Sequence, residues 1–159
     1  MLRDRNLIPL SQQHQHALAL CVRIERGLAS PRADIKGFNS EIAQLFDSEI
    51  RYHFEAEEKI LFPFAQRAPA LRDLVDELRV EHGSLRKYAA QAAAAHLTMA
   101  ELQLFAASLS AHVRKEERQL FEGMQEFFSA EDLARVGAEL DSYFLNSGMP
   151  GASCALRPK

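Results

Sequence analysis

Residues 53 to 62 read HFEAEEKILF and residues 112 to 121 read HVRKEERQLF, so the pattern His-x-x-x-Glu-Glu-x-x-Leu-Phe occurs twice, with Ile60-Leu61 standing against Gln119-Leu120. Each copy puts a histidine four residues ahead of a glutamate. On an α-helix, at about 100° per residue, those two side chains lie about 40° apart and one turn apart along the axis, aimed at one point. A single helix can therefore offer an imidazole and a carboxylate to one metal ion. Two such helices face to face offer two of each, a donor set suited to a pair of first-row ions inside a helical bundle.

The elements that must carry these residues follow from the spacing of apolar positions. Apolar residues recur at intervals of three and four along most of the chain, and alternating Val/Ile/Thr runs are missing, so helices are expected throughout. The first is expected from Ser11 to about Ala29, with Leu10, His14, Ala17, Leu18, Cys21 and Leu28 inward. Ser30-Pro31 supplies an N-cap with proline behind it, and the second helix is expected to run to about Gln66 through Ile42, Phe46, Ile50, His53, Glu57, Leu61 and Phe64. Pro63 should end or kink it. A third helix reads from Pro69 to Ala94, with Leu71, Val75, Leu78, His82, Leu85 and Ala89 on one face. Thr98 to Glu101 has the capping-box pattern and opens a fourth, with Phe105, Leu109, His112, Glu116 and Leu120 inward, fading near Phe127. Ser129 caps a short fifth helix bearing Leu133, Val136, Leu140 and Phe144.

Four long amphipathic helices with short turns predict an all-α fold, an antiparallel up-down-up-down four-helix bundle with a short fifth C-terminal helix. One domain is expected over residues 1–146, its core at 10–127 and the extra helix at 129–146, followed by a flexible tail at 147–159. The formal net charge of -3, with no Lys/Arg cluster, argues against nucleic acid and anionic membrane as partners. Cys21 and Cys154 are far apart, a disulfide framework is not expected, and no segment approaches a membrane span or a leader peptide. A cytoplasmic location is the expectation.

Six candidate metal ligands now point inward from four helices: His14, His53, Glu57, His82, His112 and Glu116. A lone histidine on an apolar face is ordinarily a satisfied core residue, so neither His14 nor His82 would argue for a metal alone. Burying two carboxylates and four imidazoles together without compensation would cost several kcal/mol per ionised group, and metal coordination offsets them at once. The bland alternative has Glu57 and Glu116 paired with Lys and Arg of their own helices. Glu58 and Glu117, about 140° around from their histidines, are expected on the solvated face or the bundle edge, paired with Lys or Arg. His16 should face away from His14, His96 should lie in a surface turn, and Cys21 should be a small buried thiol.

Spacing separates two kinds of bundle site. Ferritin-like centres need Glu-x-x-His twice, whereas Ser11, Gln13, Ile50, Arg79, Ala93 and Leu109 precede the histidines by three. A His-Glu-x-x-His zinc signature is missing as well. What remains, on the segments LSQQHQHAL, HFEAEEKILFP, EHGSLR and HVRKEERQLF, closely resembles the hemerythrin family in its HHE cation-binding form, over about residues 10 to 125. The resemblance implies a non-haem di-iron centre with an oxo or hydroxo bridge, His14, His53, His82 and His112 as terminal ligands, and Glu57 and Glu116 bridging the irons. Zinc or manganese is compatible with the same donors.

Oxygen-carrying members have a fifth histidine, in a His-x-x-x-His pair on the third helix. Here Leu78 and Arg86 flank His82 at that spacing, so more than one open coordination position is expected. The function expected from this is binding of dioxygen, nitric oxide or peroxide for sensing or for oxidative or nitrosative defence. Two alternatives stand beside it: iron storage or delivery without turnover, and a metal-stabilised interaction module in which the fifth helix forms a partner or homodimer surface. No nucleophile–base pair or phosphate-binding glycine loop supports an organic-substrate enzyme, and no catalytic residue is assigned.

Overall fold

The computed structural model describes residues 2–150, and every regular element among them is helical. Helix α1 is Ile8–Leu28. Helix α2 is continuous through Ile35–Leu45, Phe46–Ile50, Arg51–Ala56, Glu57–Leu61 and Phe62–Ala65, and α3, Arg72–Ala93, is entered through the 3-10 turn Pro69–Leu71. Helix α4 runs through Met99–Lys115, Glu116–Leu120 and Phe121–Phe127, and α5 is Ala130–Asn146. Among the described residues no helix is long and apolar enough to cross a membrane.

Local chemistry explains most helix ends and corrects two of them. Helix α1 starts at Ile8 rather than Ser11, because Pro9 sits in its first turn, where a missing N–H leaves nothing unpaired. Helix α2 starts at Ile35, not behind Ser30: the Asp34 carboxylate accepts from the Gly37 N–H at 2.8 Å, and Ser30-Pro31 lies in the preceding turn. The chain passes Pro63 and stops at Ala65. The wide π turn Glu57–Leu61 directly before that proline loosens the ladder its ring would otherwise disrupt. Thr98 and Glu101 form the expected capping box, and Ser129 caps α5 through the Asp132 N–H.

The turn between α3 and α4 closes on itself and is then pinned. Ala95 takes φ +56, and the His96 and Ala95 N–H groups donate to the Gln91 and Ala92 carbonyls, both at 2.9 Å. His96 is exposed, as expected, while Leu97 turns inward. Its N–H donates to Asn39 Oδ1 at 3.0 Å and its carbonyl accepts from Asn39 Nδ2 at 3.1 Å, so a buried side chain on α2 holds the α3–α4 turn. Asn39→Ala strands both Leu97 groups out of reach of water. It should lower stability by about 2–3 kcal/mol, read as a lower urea midpoint at unchanged slope.

Helix α1 packs on α4 and α2, and α3 packs on α2 and α4, with the core in two separate clusters. One cluster takes Leu10 of α1, Phe62 of α2, Leu78 of α3 and Phe121 of α4; the other takes Ile24, Ile42, Leu85 and Phe105 of the same helices in turn. The inward faces expected for α3 and α4 are all buried. Those of α1 and α2 are broader than expected: Leu20, Ile24, Phe54 and Phe62 are buried, while Leu18, Phe46 and Phe64 are only partly so. The apolar face of α5, offered by the sequence as a partner or dimer surface, is covered by this chain, with Leu133, Val136, Leu140 and Phe144 all in the first cluster. Beyond α5, Gly148 at φ +74 turns the chain so that Met149 is also buried there. Residues 151–159, and with them Cys154, lie outside the described residues.

Candidate metal centre

Polar side chains fill the gap between the two apolar clusters. His14 comes from α1, His53 and Glu57 from α2, His82 from α3, and His112 and Glu116 from α4, and all six are buried. They form two groups that share the glutamates, His14 and His53 with Glu57 and Glu116, and His82 and His112 with the same pair, ligand atoms lying within 4.8 Å of one another in each. Each glutamate presents one oxygen to each group. Glu57 Oε1 is 3.2 Å from His53 Nε2 and its Oε2 is 3.4 Å from His82 Nε2. Glu116 Oε2 is 3.1 Å from His14 Nε2 and its Oε1 is 3.2 Å from His112 Nε2.

The outer nitrogens decide what the inner ones can do. His14 Nδ1 faces Glu117 at 2.7 Å, His53 Nδ1 faces the Gln13 carbonyl oxygen at 2.6 Å, His82 Nδ1 faces Glu58 at 2.8 Å, and His112 Nδ1 faces Glu81 at 2.7 Å. All four partners accept, so each Nδ1 carries a proton and each Nε2 is turned to the centre. There the Nε2 atoms meet in pairs, His14 with His53 at 3.0 Å and His82 with His112 at 3.1 Å. At most one proton fits between two such nitrogens. Among the described residues none of the four Glu57 and Glu116 oxygens has a hydrogen-bond donor in place, although both residues are fully buried. A cation in each group would satisfy the facing lone pairs and the orphaned oxygens together, so these residues could hold a metal pair.

The charges of the cluster push the titrations apart. Burial pulls the His14 imidazole down, but Glu116 and Glu117 outweigh it and raise it to about 10. Burial acts likewise on His82, where Glu116, Glu57 and Glu58 raise it to about 10, and on His112, where Glu116 and Glu81 raise it to about 8. Burial and mutual repulsion oppose ionisation of Glu57, and burial opposes that of Glu116, yet the surrounding histidines hold both below the usual carboxylate range. Protons and a metal cation thus compete for the same lone pairs.

Glu58 and Glu117 need a correction. They do pair with Arg86 and Arg3, as expected of an edge position, but they are only about a quarter exposed and touch the site itself. Standing about 140° from the histidine of its own helix places each at a seam between helices, where it meets the back of the next helix's imidazole. Burial opposes the charge on each, and the contacts to His82 and Arg86, or to His14 and Ser11, hold it at about 2. The sequence reading also missed Gln13 and Glu81. Their signal was position, each directly preceding the inward histidine of its helix. Glu81 is held in turn by Lys115.

Other residues fall where expected. His16 points outward to Glu49 at 3.0 Å. Cys21 is buried and its thiol is pushed up to about 12, mainly by that burial, which makes it a poor nucleophile. Phe54 stacks on His82 at 3.7 Å between ring centroids, and Phe121 stacks on His14 at 5.5 Å, fixing the ring planes. A narrow pocket walled by Ala17, Ile50, Phe54, Leu109 and Val113 reaches His14, His53, His112 and Glu116.

The model of the hemerythrin HHE cation binding domain matches residues 9–123, which contain all six of these side chains. No curated protein and no solved structure matches the chain.

Proposed function

This chain belongs to the hemerythrin HHE cation-binding family, and from that premise we propose that it is a non-haem di-iron protein that binds dioxygen, nitric oxide or peroxide for sensing or for oxidative or nitrosative defence. The proposed ligands are His14, His53, His82 and His112 as terminal donors, with Glu57 and Glu116 bridging. The observation that carries this reading is that each buried glutamate puts one oxygen in each histidine pair. Iron held there would supply reversible one-electron chemistry, and imidazole with carboxylate suits it, as it does zinc or manganese. The chain's own contribution is to fix four rings by their Nδ1 hydrogen bonds and to keep the centre dry between two apolar clusters. The narrow, largely apolar pocket favours a small guest over an organic substrate.

An antiparallel up-down-up-down bundle with α5 outside it is part of the same proposal. Helices α1 and α3 enter from the first apolar cluster and leave through the second, and α2 and α4 run the other way.

Two measurements test the reading. Metal analysis should find two iron ions per chain, and iron(II) protein prepared without oxygen should develop a visible charge-transfer band when oxygen or nitric oxide is admitted. A protein that holds iron and stays colourless through both would point to iron storage or delivery instead. Glu58→Gln, which weakens the acceptor behind His82, should lower cation affinity about 10–100-fold with little change in the metal-free fold. An affinity equal to the parent's would remove Glu58 from the site.

A further inference from the structure

The four Nδ1 acceptors are not alike. Behind His82 and His112 stand two carboxylates, Glu58 and Glu81, whereas behind His14 and His53 stand one carboxylate, Glu117, and one neutral amide, Gln13. Gln13 and Glu81 occupy matching places, one residue before the inward histidine of α1 and of α3, so the internal repeat is broken there. The outer cations offset the carboxylate charges, Arg86 at Glu58, Arg3 at Glu117, and Lys115, which is shared with Glu77, at Glu81, but they do not make the acceptors alike. What differs is the acceptor itself. A carboxylate draws on the Nδ1 proton more strongly than an amide oxygen does, and the imidazole answers with a more basic Nε2.

Resting on the two-cation reading above, we propose that Gln13 makes the two positions unequal. The His82–His112 position takes a cation first and more tightly, and the His14–His53 position is filled second and holds its cation more weakly. The pocket adds a division of roles, since it is lined by Gln13, His14 and His53 of one half and by His112 but not His82 of the other. A cation that receives less from its imidazoles is the better acceptor for an incoming ligand. Gln13 is thus a positioning residue that sets which half stays open to small molecules.

Cobalt(II) titrated into the metal-free full chain tests this without any activity measurement. Visible absorption gives the affinities, and ring-proton NMR identifies the histidines shifted by the first equivalent. Two affinities separated by about 10–100-fold are expected, with His82 and His112 perturbed first. Gln13→Glu should bring the two within a few-fold of each other by tightening the weaker position. Glu81→Gln should do so from the other side, and its partly exposed site makes it a safe second variant should Gln13→Glu fail to fold. Equal affinities in the parent chain, first occupancy at His14 and His53, or a gap that survives both substitutions would overturn the inference. No cobalt binding at all would overturn the two-cation reading and this inference with it, whereas two equal sites overturn this inference alone.

Discussion

Glu116→Gln is expected to leave the chain unable to hold two cations. The carboxylate gives one oxygen to each histidine pair, 3.1 Å from His14 Nε2 and 3.2 Å from His112 Nε2, so one substitution strikes both positions. Glutamine keeps the shape but removes the charge and turns one of the two oxygens into an N–H donor facing an imidazole lone pair. Affinity should fall by more than the 10–100-fold typical of a lost outer partner. Stability follows by linkage. With free metal at about 100 times Kd, each site contributes about 2.7 kcal/mol, so two contribute about 5 kcal/mol, on the order of 10–20 °C in Tm for a domain of this size. The variant should show fewer than two metal equivalents and lose most of the metal-dependent rise in Tm, and Glu57→Gln should behave alike. Two equivalents at the parent's affinity in both variants would refute the bridging assignment.

Phe54→Ala should strongly destabilise the chain even without metal. The ring is only 2 % exposed, lies flat on His82 at 3.7 Å, meets His112 edge-on at 5.6 Å and closes the second apolar cluster. Removing it forfeits the buried area, leaves a cavity and frees the His82 and His112 rings, a loss of about 3–5 kcal/mol by analogy with other buried phenylalanines. Against an ordinary total of about 5–15 kcal/mol, the metal-free variant should lie near its unfolding limit and recover in part when metal is added. Urea unfolding with and without metal measures both effects. A loss below about 1 kcal/mol would show that the ring is not part of the packed core. Phe54→Leu, which keeps most of the volume, should lose less.

The helices and the six inward donors were legible from spacing. A period of three to four residues marks a helix wherever it occurs, and a histidine four residues before a glutamate must share its face. The caps at Thr98 and Ser129 were readable for the same reason, since each is a local hydrogen bond between residues three apart. The start of α2 was misplaced because Ser30 and Asp34 are both competent caps, and choosing between them depends on where the helix docks. The burial of Phe54 and Phe62 is not legible from one stripe, because both rings are covered from the neighbouring α3, where each stacks on His82.

By itself the sequence determined which six polar side chains turn inward together, because residue type and helical spacing are properties of one chain read in order. Only the tertiary structure decided the second ring of contacts. An imidazole has two nitrogens on opposite sides: the one aimed inward is set by its own helix, and the one aimed outward meets whatever the neighbouring helix supplies. That is why Glu58 reaches His82 from a different helix, why Glu117 reaches His14 across 103 residues of sequence, and why the amide of Gln13 stands where its counterpart is the carboxylate of Glu81.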